Sequence, residues 1–254
     1  MSAWACRGRS RSEIATSRRP LRTNRRGFER FEGFERFEGF ERFERLEGSK
    51  GSKVPERLLI ATTNAGKLGE IRQILAGLPL DLVSLTDWPS LAPHAETGHT
   101  FEENARAKAL YYRAATGVTA VAEDSGLEID ALGGAPGVES ARFGGEYTPY
   151  PRKFALVYDA LRRARRPGLT ARFVCALALA TDHGVVFEAR GTMEGEIAPE
   201  PRGESGFGYD PIFYYPPFGC TLAEAGERKS DVSHRAQAFR ALRAYLEQRI
   251  RNVE

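Results

Sequence analysis

Cysteine is scarce in this chain of 254 residues: there are 3, at Cys6, Cys175 and Cys220, with no CxxC pair. That excludes a cysteine zinc site and a disulfide scaffold, and it suits a reducing compartment. No run of 18 apolar residues occurs and no signal-peptide core is visible, which excludes a membrane-spanning helix and points to a soluble, cytoplasmic protein without a membrane partner. A phosphate-loop signature is also missing. In "IATTNAGKLGE", residues 60–70, Ala61 stands where that pattern needs its first glycine, and Leu68 follows Lys67 where it needs a magnesium-binding hydroxyl. Acid is nearly absent from residues 1–26, which hold eight Arg, one Glu and no Lys. Residues 1–57 carry 15 basic against 9 acidic side chains, a net of +6, which leaves 22 against 25, a net of −3, for residues 58–254. The basic balance therefore belongs to the start of the chain and gives no reason to expect a nucleic-acid partner for the rest.

Residues 27–44 are three tandem copies of "GFERFE". A Gly every sixth residue opposes a helix, and the period fits neither a heptad nor a solenoid. Residues 1–56 therefore read as a disordered low-complexity tail. An organelle transit peptide and a start codon placed too far upstream both account for it, the Glu-rich repeats speaking against the first. From about Arg57 some 200 residues remain, enough for one α/β domain with a sizeable core, residues 57–254.

Periodicity sketches that domain. "RLLIATT" reads as a short buried strand, followed by helical spacing of Leu68, Ile71, Leu75 and Leu78, and "LDLVSL" as the next strand. Residues 100–116 read as a helix with a capping box of Thr100 and Glu103. "VTAVAEDSG" reads as a strand ending in acid, "LEIDAL" as a further strand or strand edge, and "GGAPGVESARFGG" as a glycine-rich loop. A helix near 151–165 precedes "ARFVCALALATD" and "GVVFEARGTMEGEIA", two long β runs joined in hairpin fashion at 182–184. Ser233 caps a final helix with an apolar stripe of Phe239, Leu242, Leu246 and Ile250. Alternating elements followed by a hairpin indicate an α/β protein with a mixed sheet.

Reactive side chains gather in five places. Thr62, Thr63, Asn64, Gly66 and Lys67 form a polar strand-to-helix turn suited to an anion, or an ordinary turn with Asn64 as cap and Lys67 solvated. Glu123 and Asp124 sit side by side at the C-terminal end of an apolar strand, where one carboxylate faces a site while the other braces it, and such acids suit Mg²⁺ or, more plainly, are turn acids capping a following N–H. Glu96 is a third candidate carboxylate, whereas Glu102 and Glu103 are first-turn acids on a helix dipole. Asn104 and Lys108, four apart, share a helix face, with Lys108 either reaching phosphate or solvated. In "RGESGFGYDPIF", Gly206 and Gly208 flank Phe207, leaving its ring open to a flat ligand, and Asp210 is placed for a hydroxyl or ring N–H. Lys229, His234 and Arg235 put basic groups at a helix start, where the dipole disfavours cations, so an anionic or carbonyl-rich partner is expected.

"ATTNAGKLGEI", "ETGHTFEENARAKA", "AEDSGLEIDALGGAPGVESAR", "PRGESGFGYDPIF" and "KSDVSHRAQA" resemble, in order and spacing, the inosine triphosphate pyrophosphatase family, also called dITP/XTP pyrophosphatases, over about residues 58–250. The resemblance implies a homodimeric, two-lobed α/β fold with an elongated mixed sheet and the site in the cleft. It implies Mg²⁺-dependent hydrolysis of ITP, dITP and XTP to the monophosphate and pyrophosphate, which clears deaminated purines from the nucleotide pool. By motif position, Thr62, Thr63, Asn64, Ala65, Gly66 and Lys67 would hold the triphosphate. Asp124 would be the proton acceptor, with a metal role shared with Glu96 and Glu123. Ser125 would contact substrate; Phe207, Gly208, Tyr209 and Asp210 would line the base and sugar pocket; Lys229, His234 and Arg235 would complete it. Two residues depart from the pattern, Glu123 where many relatives have Asp, and Glu139 where an aromatic often precedes "SAR". A nucleotide sensor with the same pocket and no turnover is the competing reading.

Overall fold

Leu58, Leu59 and Ile60 carry no polar atom to satisfy outside the backbone, and the strand β1 (Arg57–Ile60) is buried on both faces over those three residues, as a parallel strand covered by helices should be. The structure, a computed structural model, describes residues 56–164 and 168–252, so the expected tail at 1–56 lies almost wholly outside the described residues. β1 is followed by α1 (Ala65–Leu75), β2 (Asp81–Ser84), α2 (Phe101–Thr116), β3 (Ala120–Ile129), α3 (Tyr150–Arg163), β4 (Thr170–Thr181), β5 (Gly184–Ile197), β6 (Phe213–Tyr215) and β7 (Cys220–Thr221). Two short helices, α4 (Leu222–Ala225) and α5 (Lys229–Val232), lead into α6 (His234–Arg251).

The strands form one mixed sheet of seven in the order β2-β1-β3-β4-β5-β6-β7. β1 pairs in parallel with β2 and β3, and every later pairing is antiparallel. β1 meets β3 at two positions, Leu59 opposite Ala120 and Ile60 opposite Val121, and then ends. β3 continues alone on that side, held by β4 along a ladder from Ala120–Ala180 to Ile129–Ala171. The open flank of β3 beyond Val121 is therefore faced by the turn that starts α1.

Here the structure corrects the sequence reading. "VTAVAEDSG" and "LEIDAL" are one ten-residue strand, and the acids lie in its middle. Ser125 and Gly126 look like a break, but the full-length β4 ladder overrides local propensity. Gly126 has a packing reason to be there, since a Cβ would fall 2.4 Å from Ser140 Oγ and 2.6 Å from the Gly137 carbonyl oxygen. The capping box is also altered. Thr100 accepts from the Glu103 N–H as expected, but Glu103 Oε2 accepts from the His99 N–H at 2.7 Å, one residue earlier.

Because side chains alternate along β3, Val121 joins Leu58, Ile60, Ile71, Leu177, Phe239 and Leu242 under α1 and α6, while Ala122 joins Leu59, Ala105, Ala109, Ala176 and Ala178 under α2. A third core of Leu127, Ile129, Phe154, Phe173, Met193 and Phe213 fills the α3, β5 and β6 end. Glu123 to Gly126 lie where these cores meet, between the two lobes that the mixed-sheet fold is expected to have. Asn64 caps α1 and Ser233 caps α6, as read from the sequence. The α6 stripe is confirmed for Phe239, Leu242 and Leu246, with Ile250 partly exposed.

Candidate active site

Strand β3 sends Glu123 toward α1 and α6 and Asp124 toward α2. Glu123 Oε1 lies 2.6 Å from Lys67 Nζ, and Glu123 Oε2 accepts from the Cys175 thiol at 3.4 Å and lies 3.7 Å from Arg235 Nη2. Burial alone would push the Glu123 carboxyl up, but Lys67, Arg235 and Lys108 outweigh it and hold the group well below the usual carboxylate range. Asp124 is in the reverse state. Burial and the charge of Glu96 raise it to about 6, against the opposing pull of the Asn104 hydrogen bond, Lys108 and Lys67. Asn104 Nδ2 donates to Asp124 Oδ2 at 2.8 Å, and the Ser125 N–H donates to Asp124 Oδ1 at 2.8 Å.

α2 supplies the rest of this face. Asn104 and Lys108, one turn apart, both reach β3, so the shared helix face is real. Lys108 pairs with the Glu96 carboxylate and donates to the Glu123 carbonyl oxygen at 3.2 Å, so it is not a solvated lysine. The expected trio of metal-binding carboxylates does not form: among the described residues no three His, Cys, Asp or Glu side chains converge on one point. The pleat sends Glu123 to the other face, where two cations neutralise it. Glu96 and Asp124 remain as a pair whose charges repel. That donor set fits a hard divalent cation, which relieves the repulsion and fills its other positions with water and substrate phosphate.

The turn at 62–67 is built by its own side chains. Thr62 Oγ1 accepts from the Asn64 N–H at 3.2 Å, and Asn64 Oδ1 accepts from the Lys67 N–H at 3.1 Å. The N–H groups of Thr63, Ala65 and Gly66 have no acceptor among the described residues. Three open amides at the start of an eleven-residue helix, with Lys67 beside them, make a site for anionic oxygens.

Facing that turn is the loop at 206–210. Gly206 and Gly208 adopt φ of +78° and +69°, conformations that favour glycine, and a Cβ on Gly206 would fall 2.2 Å from Asp210 Oδ2. Phe207, 36% exposed, lies with its ring 3.1 Å from where a Gly66 Cβ would stand. Lys229 Nζ is 4.4 Å and Arg235 Cζ 5.6 Å from the centre of that ring. Phe207 thus touches the phosphate-type turn and both cations at once.

Several expected pocket residues are engaged more tightly by the protein than their motif suggests. Lys229 Nζ donates to Asp210 Oδ2 at 2.7 Å, and Asp210 also accepts from the Phe207 N–H at 2.8 Å. Burial raises the Asp210 carboxyl despite Lys229. Arg235 is 1% exposed: Nη1 donates to Glu70 Oε2 at 2.8 Å and Nη2 to Ser125 Oγ at 3.1 Å. Tyr209 is packed in the third core, donating its hydroxyl proton to the Ser140 carbonyl oxygen at 3.0 Å, with its own acidity pushed out of range by burial. It supports the loop from behind. His234 stacks on Phe173 at 5.0 Å, and burial with the adjacent Arg235 keeps it neutral. His234 Nδ1 and Arg235 Nε are buried without a hydrogen-bond partner. Each such atom costs about 1–3 kcal/mol.

Glu70, Cys175 and Arg142 were not singled out from the sequence. Glu70 had a signal, since it follows Lys67 by three residues on α1 and so shares its face. Cys175 reaches Glu123 only through the β3–β4 register, in which it lies opposite Ser125, and no local pattern marks it.

The Ham1 family model matches residues 58–245. A dITP/XTP pyrophosphatase of Exiguobacterium sibiricum is 46% identical over 191 residues, 75% of this chain and 96% of that one. A dITP/XTP pyrophosphatase of Thermus thermophilus is 47% identical over 187 residues, 73% of this chain and 89% of that one. Among solved structures, a HAM1 protein from Coxiella burnetii superposes with a TM-score of 0.71 at 39% identity, covering 76% of this chain and 98% of that one. The chain belongs to the Ham1 family.

Proposed function

We propose that the protein hydrolyses deaminated purine nucleoside triphosphates, ITP, dITP and XTP, to the nucleoside monophosphate and pyrophosphate, with Mg²⁺ as cofactor. It would act in the cytoplasm as a homodimer, without a nucleic-acid or membrane partner; among the described residues no helix is long and apolar enough to cross a membrane. The observation that carries the reading is the split placement of the β3 acids. Asp124, held by Asn104 at 2.8 Å and by the Ser125 N–H at 2.8 Å, lies with Glu96 on one face as a general base and metal ligand, a residue away from Glu123, which pairs with Lys67 at 2.6 Å on the other.

The open amides of Thr63, Ala65 and Gly66, with Lys67, receive the phosphate oxygens, and Thr62 and Asn64 keep the turn in shape. Ser125, oriented by Arg235, presents a hydroxyl beside the reacting phosphate. Asp124, anchored by Asn104, accepts the proton of a water whose oxygen attacks the α-phosphorus; the bond to the β-phosphate oxygen breaks and pyrophosphate leaves. Glu96 and Asp124 would hold Mg²⁺, which screens phosphate charge and polarises the phosphoryl group when bound. Glu123 serves instead to place Lys67 and Arg235. On the other side, Phe207 offers its exposed ring to a purine, Gly208 lets the backbone come close, and Asp210 with Lys229 and His234 sets the polar pattern around it.

Release of pyrophosphate, followed over a panel of purine triphosphates, tests this. We expect kcat/KM for ITP, dITP and XTP to exceed that for ATP and GTP by at least roughly 10², the selectivity of a purely steric pocket. Equal values for GTP and ITP would defeat the pool-clearing reading. Tight ITP binding with no release of pyrophosphate would leave a nucleotide sensor in its place.

A further inference from the structure

Glu96 sits in an irregular stretch between β2 and α2, so while Lys108 of α2 pairs with its carboxylate, no helix or sheet ladder fixes its backbone. The stretch is pinned from one side by α2 and its cap. Tyr111 donates to the Ala92 carbonyl oxygen, Tyr112 accepts from the His94 N–H, Asn104 accepts from the Gly98 N–H and Glu103 from the His99 N–H. At Glu96 itself the backbone is held from the opposite side, by Arg142 Nη2 donating to its carbonyl oxygen at 3.1 Å.

Arg142 belongs to a turn that is itself well anchored. Ser140 Oγ accepts from the Leu127 N–H at 2.9 Å and donates to the Gly137 carbonyl oxygen at 2.6 Å. The Ser140 carbonyl oxygen takes the Tyr209 hydroxyl, and the Ala141 carbonyl oxygen takes the Lys153 ammonium, a buried cation with no carboxylate partner among the described residues, whose acidity burial increases. The Arg142 guanidinium is then aimed by Glu139, with Nε to Oε2 at 2.5 Å and Nη2 to Oε1 at 2.8 Å, a two-pronged pairing that fixes the plane of the fork.

We propose that Arg142, aimed by Glu139, is a positioning residue: it holds the Glu96 backbone against the rigid 137–142 turn and so sets the carboxylate for metal binding. The inference rests on Glu96 and Asp124 holding the metal, as proposed above, and does not depend on which nucleotide is cleaved.

The test is Mn²⁺ binding by electron paramagnetic resonance without nucleotide, beside the Mg²⁺ dependence of ITP turnover, for wild type, Arg142→Ala, Arg142→Lys and Glu139→Gln. Loss of a group that orients a metal ligand typically weakens binding by about 10–100-fold. Arg142→Ala should therefore weaken Mn²⁺ at least about tenfold and raise half-saturating Mg²⁺ by a similar factor, while KM for ITP at saturating Mg²⁺ stays within about twofold. Arg142→Lys should recover part of the loss, since one ammonium reaches the carbonyl but cannot be aimed by a carboxylate in the same way. Glu139→Gln, an exposed change that leaves the fold intact, should give a smaller loss in the same direction and keeps the idea testable if Arg142→Ala fails to fold. Unchanged Mn²⁺ affinity in both Arg142→Lys and Glu139→Gln, or a raised KM for ITP with Mn²⁺ affinity intact, would overturn it, the second making Arg142 a direct phosphate contact. So would a wild type that binds no Mn²⁺. If wild type binds Mn²⁺ but cleaves no ITP, and the variants still weaken Mn²⁺, the positioning role stands and the proposed reaction falls.

Discussion

Glu123 and Asp124 differ by one position and one methylene, yet their surroundings drive them apart. Glu123, depressed by Lys67 and Arg235, contributes stability above the ordinary carboxylate range and loses it in acid. Asp124 has the opposite sign. Its folded value of about 6 lies above the ordinary 3.8, so the folded state holds a proton that the unfolded chain has already released. Its favourable contribution is complete below about pH 4 and is lost as pH rises through about 6. Asp124→Asn removes that titration. In metal-free buffer the variant should therefore gain on the order of 3 kcal/mol relative to wild type between pH 4 and 7, measured by urea unfolding; parallel curves would refute the raised carboxyl. The same variant should lose roughly 10²–10⁴ in kcat, the range for a general base, with a smaller change in nucleotide binding; half-normal turnover would remove Asp124 from the mechanism. Arg235→Ala leaves Glu70 buried without its cation and Glu123 with Lys67 alone. Breaking such a pair typically costs about 3–5 kcal/mol, so a clear fall in melting temperature should accompany any change in base preference. The identities of these side chains were legible as motifs. Their partners were not, because Arg235 meets Glu70 across 165 positions and Cys175 meets Glu123 across 52.

Caps and glycines carry the element scale. Ser233 accepts from the Ala236 N–H at 3.0 Å and donates to Glu70 Oε1 at 2.5 Å, so one hydroxyl starts α6 and ties it to α1. Ser233→Ala should cost about 1–2 kcal/mol from the cap alone, and by freeing Glu70 should also disturb Arg235; a melting temperature within error of wild type would contradict both. Gly191 on β5 brings α6 close, since a Cβ would fall 2.0 Å from the His234 carbonyl oxygen and 3.0 Å from the Ala238 nitrogen. Backbone cannot yield as a flexible side chain does. Gly191→Ala should push the start of α6 away, destabilise the protein by about 1–3 kcal/mol, the range for overpacking, and weaken the site through His234 and Arg235. Full activity with an unchanged melting temperature would show that α6 can shift freely. Helices α1, α2 and α6 and the β4–β5 hairpin were readable from period, caps and turn residues. The single strand β3 was not, because its Ser-Gly interruption is local whereas the ladder that overrides it comes from β4.

Across the whole molecule, the five motifs lie within residues 58–250, as do the three cores of the described residues. A chain beginning at Gly51 is therefore expected to keep full activity and its melting temperature; a drop of several degrees would assign residues 1–50 a structural part. The linear order of residues settles much on its own: an α/β class, the caps, the apolar stripes, and five ordered motifs that bring the chain into one family. Local chemistry suffices there, because a cap, a period or a glycine turn involves neighbours within a few positions. How charges pair is another matter. Whether Glu123 binds metal or braces Lys67, whether Arg235 faces a ligand or a carboxylate, and whether Tyr209 lines a pocket or packs in a core depend on strand pleat and on contacts between distant segments. Alternation on β3 sends adjacent acids to opposite faces, and the sheet order then brings α1 and α6 to one and α2 to the other. Burial fixes each group's charge state, and burial is a property of the packed fold.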